Sequence, residues 1–186
     1  MAYPSCTLAT FDGQICNPAH GGVRAAFLAE FTDVDFETSV FTADAISTLE
    51  MNGVAVFARL TPVSADGVNF TEDMSERTDI QPARWLETLN IIVNTTNSVA
   101  RRLIDGIQVC CDLVVIVEFY DGTRVIMGID QAIAGSNAVI VPSLMPCKLS
   151  VGKFDSGNPG GGQTITLTFT ATSKRLAQSV TASIPE

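Results

Sequence analysis

Trp85-Leu86-Glu87-Thr88-Leu89-Asn90-Ile91-Ile92-Val93 is the stretch whose reading decides the fold. Counting by twos puts Trp85, Leu89, Ile91 and Val93 on one face, and Leu86, Thr88, Asn90 and Ile92 on a mixed opposite face. That period belongs to a β-strand with one face on a core and the other partly covered. Thr95-Thr96-Asn97-Ser98 then offers N-cap oxygens for a short helix. Val99, Leu103 and Ile107 follow at helical spacing, Arg101 and Asp105 are spaced for an exposed ion pair, and Gly106 marks the helix end. Leu113 to Tyr120 is apolar on both faces apart from Glu118, which predicts a strand deep in a sheet. Asp121-Gly122 predicts a two-residue hairpin, with Thr123 to Asp130 returning as the partner and Val125, Met127 and Ile129 on one face.

Outward from this unit, Val23 to Glu30 reads as a first strand ended by the acidic Asp33-Val34-Asp35. Glu37 to Met51 has no decisive period, and Thr42 to Ile46 fits a helical turn or a loop. Val54 to Val63 alternates as a strand, although Pro62 tells against a central place for its end. Thr61 to Pro82, with a turn at Ser64-Ala65-Asp66-Gly67 and the charged run Thr71 to Asp79, reads as a hairpin arm standing away from the core. Ala138 to Val141 is expected as a short strand, with Lys148 to Lys153 pairing after Pro142 and Pro146. Asp155 to Gly162 is a glycine-rich loop. Thr164 to Thr172 is the cleanest alternation, with Ile165, Leu167, Phe169 and Ala171 turned to a core and five threonines turned away. The tail from Ser173 fits a loose end or an interface strand. The whole reads as a single domain over 1–186, mainly β with a minor α part, and an arm at about 61–82.

Apolar residues make up 46% of the chain and charged residues 17%, too few charges to cover a free monomer well. Burial of extra surface against copies of itself is therefore expected. A net charge of -9 disfavours nucleic acid as a tightly held ligand, though not as something that passes by. Cys6, Cys16, Cys110, Cys111 and Cys147 are odd in number and lack disulfide-style spacing, which predicts reduced thiols in a cytosolic product. No signal-peptide pattern opens the chain, and no apolar run is long enough to span a membrane.

Residues that would carry chemistry are scarce. His20 is the one histidine and sits in a turn with Pro18 and Gly21, with neither a nucleophile nor an orienting carboxylate placed beside it. Cys110 and Cys111, as strand neighbours, point to opposite faces and read as core residues. The acidic groups Asp33, Asp35, Glu37 and Glu72, Asp73, Glu76, Asp79 lack the spacing of a calcium loop. They read as solvated loops or as the lining of a passage. The glycine-rich loop at 155–162 has no Lys-Ser/Thr pair and leads into a strand, so no phosphate cradle is expected. No catalytic residue, metal ligand or cofactor site is expected, and an enzyme is the least supported class.

The early Gly21-Gly22-Val23-Arg24 strand, Phe70-Thr71-Glu72-Asp73 in a charged arm, the Trp85 to Val93 strand, the Ser98 to Ile107 helix, the Leu113 to Gly128 hairpin and the closing Ile165 to Ala171 strand together resemble tail tube proteins of long-tailed bacteriophages and contractile injection systems. The resemblance implies a β-sandwich or barrel-like sheet flanked by one helix. It implies a virion protein, assembled in the host cytoplasm, whose homo-hexameric rings stack into a tube and meet other tail or neck proteins. Genomic DNA would travel through that tube without specific binding, and no membrane is involved. It implies an arm that orders between rings, here Phe70, Thr71, Glu72, Asp73, Met74, Glu76 and Arg77, and candidate lumen carboxylates at Asp33, Asp35 and Glu37. A bore with more carboxylates than amines would pass DNA without trapping it. A head–tail connector, a capsid-surface protein, and a monomeric β-sandwich ligand-binding module are the competing readings.

Overall fold

The computed structural model describes residues 22–42, 45–64, 68–74, 84–94, 101, 112–132, 139–142, 145–156, 162–173 and 177–186. Among these the chain is almost wholly β. Its strands are β1 (Val23–Glu30), β2 (Val34–Thr42), β3 (Ala45–Met51), β4 (Ala58–Leu60), β5 (Asn69–Met74), β6 (Trp85–Asn94), β7 (Leu113–Phe119), β8 (Arg124–Met127), β9 (Ile129–Ala132), β10 (Val139–Pro142), β11 (Met145–Asp155), β12 (Thr164–Ser173) and β13 (Gln178–Val180). A 3₁₀ turn at Phe31–Asp33 joins the first two. The expected helix at 98–107 lies outside the described residues except for Arg101, which is helical. His20, Cys110, Cys111, Glu76 and Arg77 also lie outside them.

Eleven strands form one sheet in the order β2-β3-β13-β8-β7-β11-β12-β6-β5, with β1 on β7 and β4 on β1, while β9 and β10 pair separately. The sheet narrows to one pairing, Cys147 with Leu113, between β11 and β7. Either side of that corner, its two parts face each other across a shared core. That core holds Leu89, Ile91 and Val93 of β6, Ile165, Leu167 and Phe169 of β12, Ala26 and Leu28 of β1, and Val115 and Val117 of β7. Each of the Leu, Ile, Val and Phe side chains among these, taken from water, contributes about 1.5–3 kcal/mol. A second core lies on the other face of β1 and β7, where Phe27, Val114 and Ile116 meet Ile46 and Leu49 of β3 with Val180 and Ala182. β7 is apolar on both faces because it separates these two cores.

Several expectations hold in detail. β1 and β6 begin where expected, and the inward residues of β12 are buried while its threonines stay half-exposed. Others need correction. The hairpin after β7 has a three-residue loop, Tyr120 to Gly122: the Phe119 amide donates to the Thr123 carbonyl at 2.9 Å and the Gly122 amide to the Phe119 carbonyl at 3.0 Å. Gly122 takes φ 84°, the left-handed residue such a loop requires. The returning strand does not run through to Asp130. Gly128 at φ 80° breaks it, so Val125 and Met127 serve the first core and Ile129 the second. Val34–Thr42 and Ala45–Met51 pair as antiparallel strands where Thr42 to Ile46 was expected as a helical turn or a loop, residues 43–44 lying outside the described ones. Val54 is almost wholly exposed, while only Ala58–Leu60 of its stretch pairs as a strand.

Of the expected arm at Thr61 to Pro82, residues 65–67 and 75–82 lie outside the described ones, and the part that is described packs on the sheet. Asn69–Met74 pairs along its length with Trp85–Asn90 as the edge strand of the sheet. Val68 is buried, the Val63 amide donates to the Ile92 carbonyl at 3.0 Å, and Phe70 stacks edge-on against Phe119 at 5.9 Å. The tail is no loose end: β13 is parallel to β3 and antiparallel to β8, and it is what joins the β2–β3 hairpin to the rest of the sheet.

Candidate assembly surface

The four-stranded part β5-β6-β12-β11 presents an outer face made by the residues that alternate away from the core. Pairing lines them in rows across the strands. Thr71, Thr88, Thr170 and Lys148 form one row, Asn69, Asn90 and Thr168 the next, and Ile92, Thr166 and Lys153 another. The Thr168 hydroxyl donates to Asn90 Oδ1 at 2.7 Å, and Asn90 Nδ2 to Asn69 Oδ1 at 3.0 Å. Hydroxyls and amides thus satisfy one another on a face whose middle carries no charge. Charges sit at its margins: Asp73 on β5, and Lys148, Lys153 and Asp155 on β11. Among the described residues, the outer edge of β5 and most of the outer edge of β11 carry no strand.

Of the residues expected at an interface, Phe70 faces the core, Thr71 joins the outer rows, and Met74, opposite Trp85, is 61% exposed. Glu72 is half-buried and accepts the Ala177 amide, which ties the closing segment to β5. Loss of water around it raises its pKa from the usual 4.5, and the Ala177 bond opposes this only in part. Asp33, Asp35 and Glu37 stand at the opposite end of the sheet order, on the turn before β2 and on β2 itself, so they do not join the threonine face. Asp35 Oδ1 accepts the Glu37 and Thr38 amides at 3.0 and 3.2 Å, and hydrogen bonds from Thr38, side chain first, hold its pKa below 3.8.

Glu87 went unread in the sequence. It is wholly buried at the corner of the sheet, where its Oε1 accepts the Ser173 hydroxyl at 2.6 Å and its Oε2 the Gly128 amide at 3.2 Å. Its signal was available, since alternation from Trp85 to Val93 turns position 87 inward. Cys147 lies beside it, free and buried, its pKa pushed well above 9.0 by burial first and by Glu87 second. A second internal carboxylate, Glu118, takes Arg124 Nε at 2.8 Å and Arg24 at 3.4 Å, and Arg124 also donates to the Ala182 carbonyl at 3.3 Å. Both carboxylates are enclosed by their own strands and serve the fold. Among the described residues no group of three or more His, Cys, Asp or Glu converges as metal ligands would. No helix there is long and apolar enough to cross a membrane, which leaves strands unaddressed.

Compared with family models, curated proteins and solved structures, the chain matches none.

Proposed function

We propose that the chain is a structural subunit whose four-stranded part continues from copy to copy around a closed ring, as in a phage tail tube. The observation that carries this reading is the pair of open edges, β5 and β11, on one antiparallel four-stranded unit. Because the unit has an even number of strands, rotation about an axis along them sets β5 of one copy antiparallel to β11 of the next. The hydrogen-bonding alternation then runs on unbroken, and ring closure removes the exposed edges. Charge agrees in balance: Asp73 marks one edge, and Lys148 and Lys153 outnumber Asp155 on the other. Such opposition favours head-to-tail over like-to-like contact.

In this reading the rows of Thr and Asn line the bore. A bore of hydroxyls and amides offers DNA phosphates little cationic anchorage, and the net charge of -9 adds long-range repulsion. This replaces the expected carboxylate lining by a nearly neutral one. Six copies to a ring, stacking, and a place in a virion tail come from the resemblance. Negative-stain electron microscopy across a concentration series tests the proposal. Rings or hollow tubes are expected, and a monomer at every concentration would overturn it.

A second reading, a monomeric β-sandwich binding module, is favoured by one feature. β11 has pairing irregularities between Met145 and Lys148 and between Leu149 and Val151, devices that also keep a free edge from pairing. The same microscopy separates the two.

A further inference from the structure

We propose that the slot between β3 and β8 is a strand-acceptor site, which residues 177–186 of a second copy can occupy in place of the chain's own. The inference rests on the fold, not on the tube reading. In the slot, Ser179 and Val180 lie opposite Ala45 and Ile46 of β3, while Gln178 and Ser179 lie opposite Ile126 and Val125 of β8. The Thr181 and Ala182 amides both donate to the Ile46 carbonyl, at 2.9 and 3.1 Å. Further on, the Phe57 amide donates to the Pro185 carbonyl at 2.9 Å, and Arg59 meets Glu186 at 3.6 Å in an exposed pair. Val180, Ala182 and Ile184 alternate inward against the second core.

Two features make this an acceptor site and not simply a sheet strand. Without the segment, β3 and β8 are both open edges, and an apolar trough lined by Ile46, Leu49 and Ile126 lies between them, so the site is defined on three sides before it is filled. The resident strand is only three residues long: Thr181 and Ala182 share one acceptor, the Ile46 carbonyl, and Arg124 reaches the Ala182 carbonyl at 3.3 Å. The last residues are held by the Phe57–Pro185 bond and a solvent-screened ion pair, and the near end by the Ala177–Glu72 bond. A short strand at the end of the described fold is of the low-stability kind that opens locally while the core stays closed. The occupant that fits the register, the small Ala182 position and the apolar alternation is the same sequence on another copy, the usual currency of strand exchange.

The test uses the full chain and a fluorescein-labelled peptide of residues 177–186 with blocked ends, followed by anisotropy. Saturable binding to the wild-type protein is expected. Binding to the Val180→Ala protein, whose own strand is trimmed, should be about tenfold tighter, as a lost pair of buried methyl groups predicts. A peptide carrying Val180→Asp should not bind either protein. Should Val180→Ala fail to fold, Glu186→Gln weakens only the exposed ion pair and should tighten peptide binding by about twofold. No binding to any of these proteins, equal binding of the Asp peptide, or affinity indifferent to the resident strand overturns the proposal.

Discussion

Glu87 shows how much one side chain sets at the corner of this sheet. Its carboxylate is the acceptor for both Ser173 and Gly128, so Glu87→Ala removes an acceptor from two buried donors. At roughly 1–3 kcal/mol for each donor that loses its acceptor, the variant should lose about 2–6 kcal/mol of stability, read from its urea midpoint. Adding Ser173→Ala should return part of that loss, because one of the two donors is removed; strict additivity would show that the two residues are not coupled. Gly128 is the companion case. A Cβ there would come within 2.7 Å of the Cys147 backbone nitrogen, at φ 80°, so Gly128→Ala should cost at least about 2 kcal/mol. Glu72 gives a pH signature. Its folded pKa is raised above 4.5, so the folded state binds the proton more tightly than the unfolded chain does. That stability is complete below pH 4.5 and is lost as pH rises through the raised value. The difference in Tm between wild type and Glu72→Gln should therefore change across that window and flatten above it; a constant difference would contradict the assignment.

At the scale of elements, the strands with one regular period were legible and the irregular ones were not. β6, β12 and β7 declare themselves because each meets the same environment along its whole length: one core for the first two, two cores for β7. β12 also predicts its own mutational contrast. Phe169→Ala empties a fully buried site and should cost about 3–5 kcal/mol. Its neighbour Thr168→Ala removes one half-exposed hydroxyl bond to Asn90 and should cost about 1 kcal/mol by the same denaturation assay. Equal costs would mean that the assignment of faces is wrong. β2 and β3 were illegible for a physical reason: their pairing slips between Asp35 and Val40, and Ile46 and Leu49, of opposite parity, share one core. β11 carries Pro146, Gly152 and two irregularities, which erase its period. β13 is three residues recognised only by strands far away in sequence, while Val54 to Val63 alternates with little to pair against. Local pattern reports the environment of a strand, not the existence of its neighbour.

For the whole molecule, the decisive property is which edges stay open, and the sequence announced only that extra surface would be buried. The candidate residues at 33–37 and 70–77 follow from the resemblance to tail tube proteins, whereas the sheet sorts those described by strand order: Asp73 marks the open β5 edge, and Asp35 accepts an amide of its own strand β2. This makes the proposed assembly testable by charge. Lys148 and Lys153 sit on the β11 edge, and Lys148 also meets Asp112 at 3.5 Å in an exposed pair that adds little to stability. Lys148→Glu with Lys153→Glu should therefore leave Tm nearly unchanged. It should nevertheless set like charges against β5 of the next copy, raising the concentration at which rings appear by about tenfold or more. Adding Asp73→Lys to that double variant restores opposition across the same edge with the signs exchanged, and assembly should return. Salt gives an independent check, because attraction between exposed edges is screened over about 8 Å at physiological ionic strength and over less at higher salt. Wild-type assembly should weaken as salt rises, and that of the double variant should strengthen. If the double variant assembles like wild type at every salt concentration, the copies meet elsewhere on the surface and the β5 and β11 edges are not the joint.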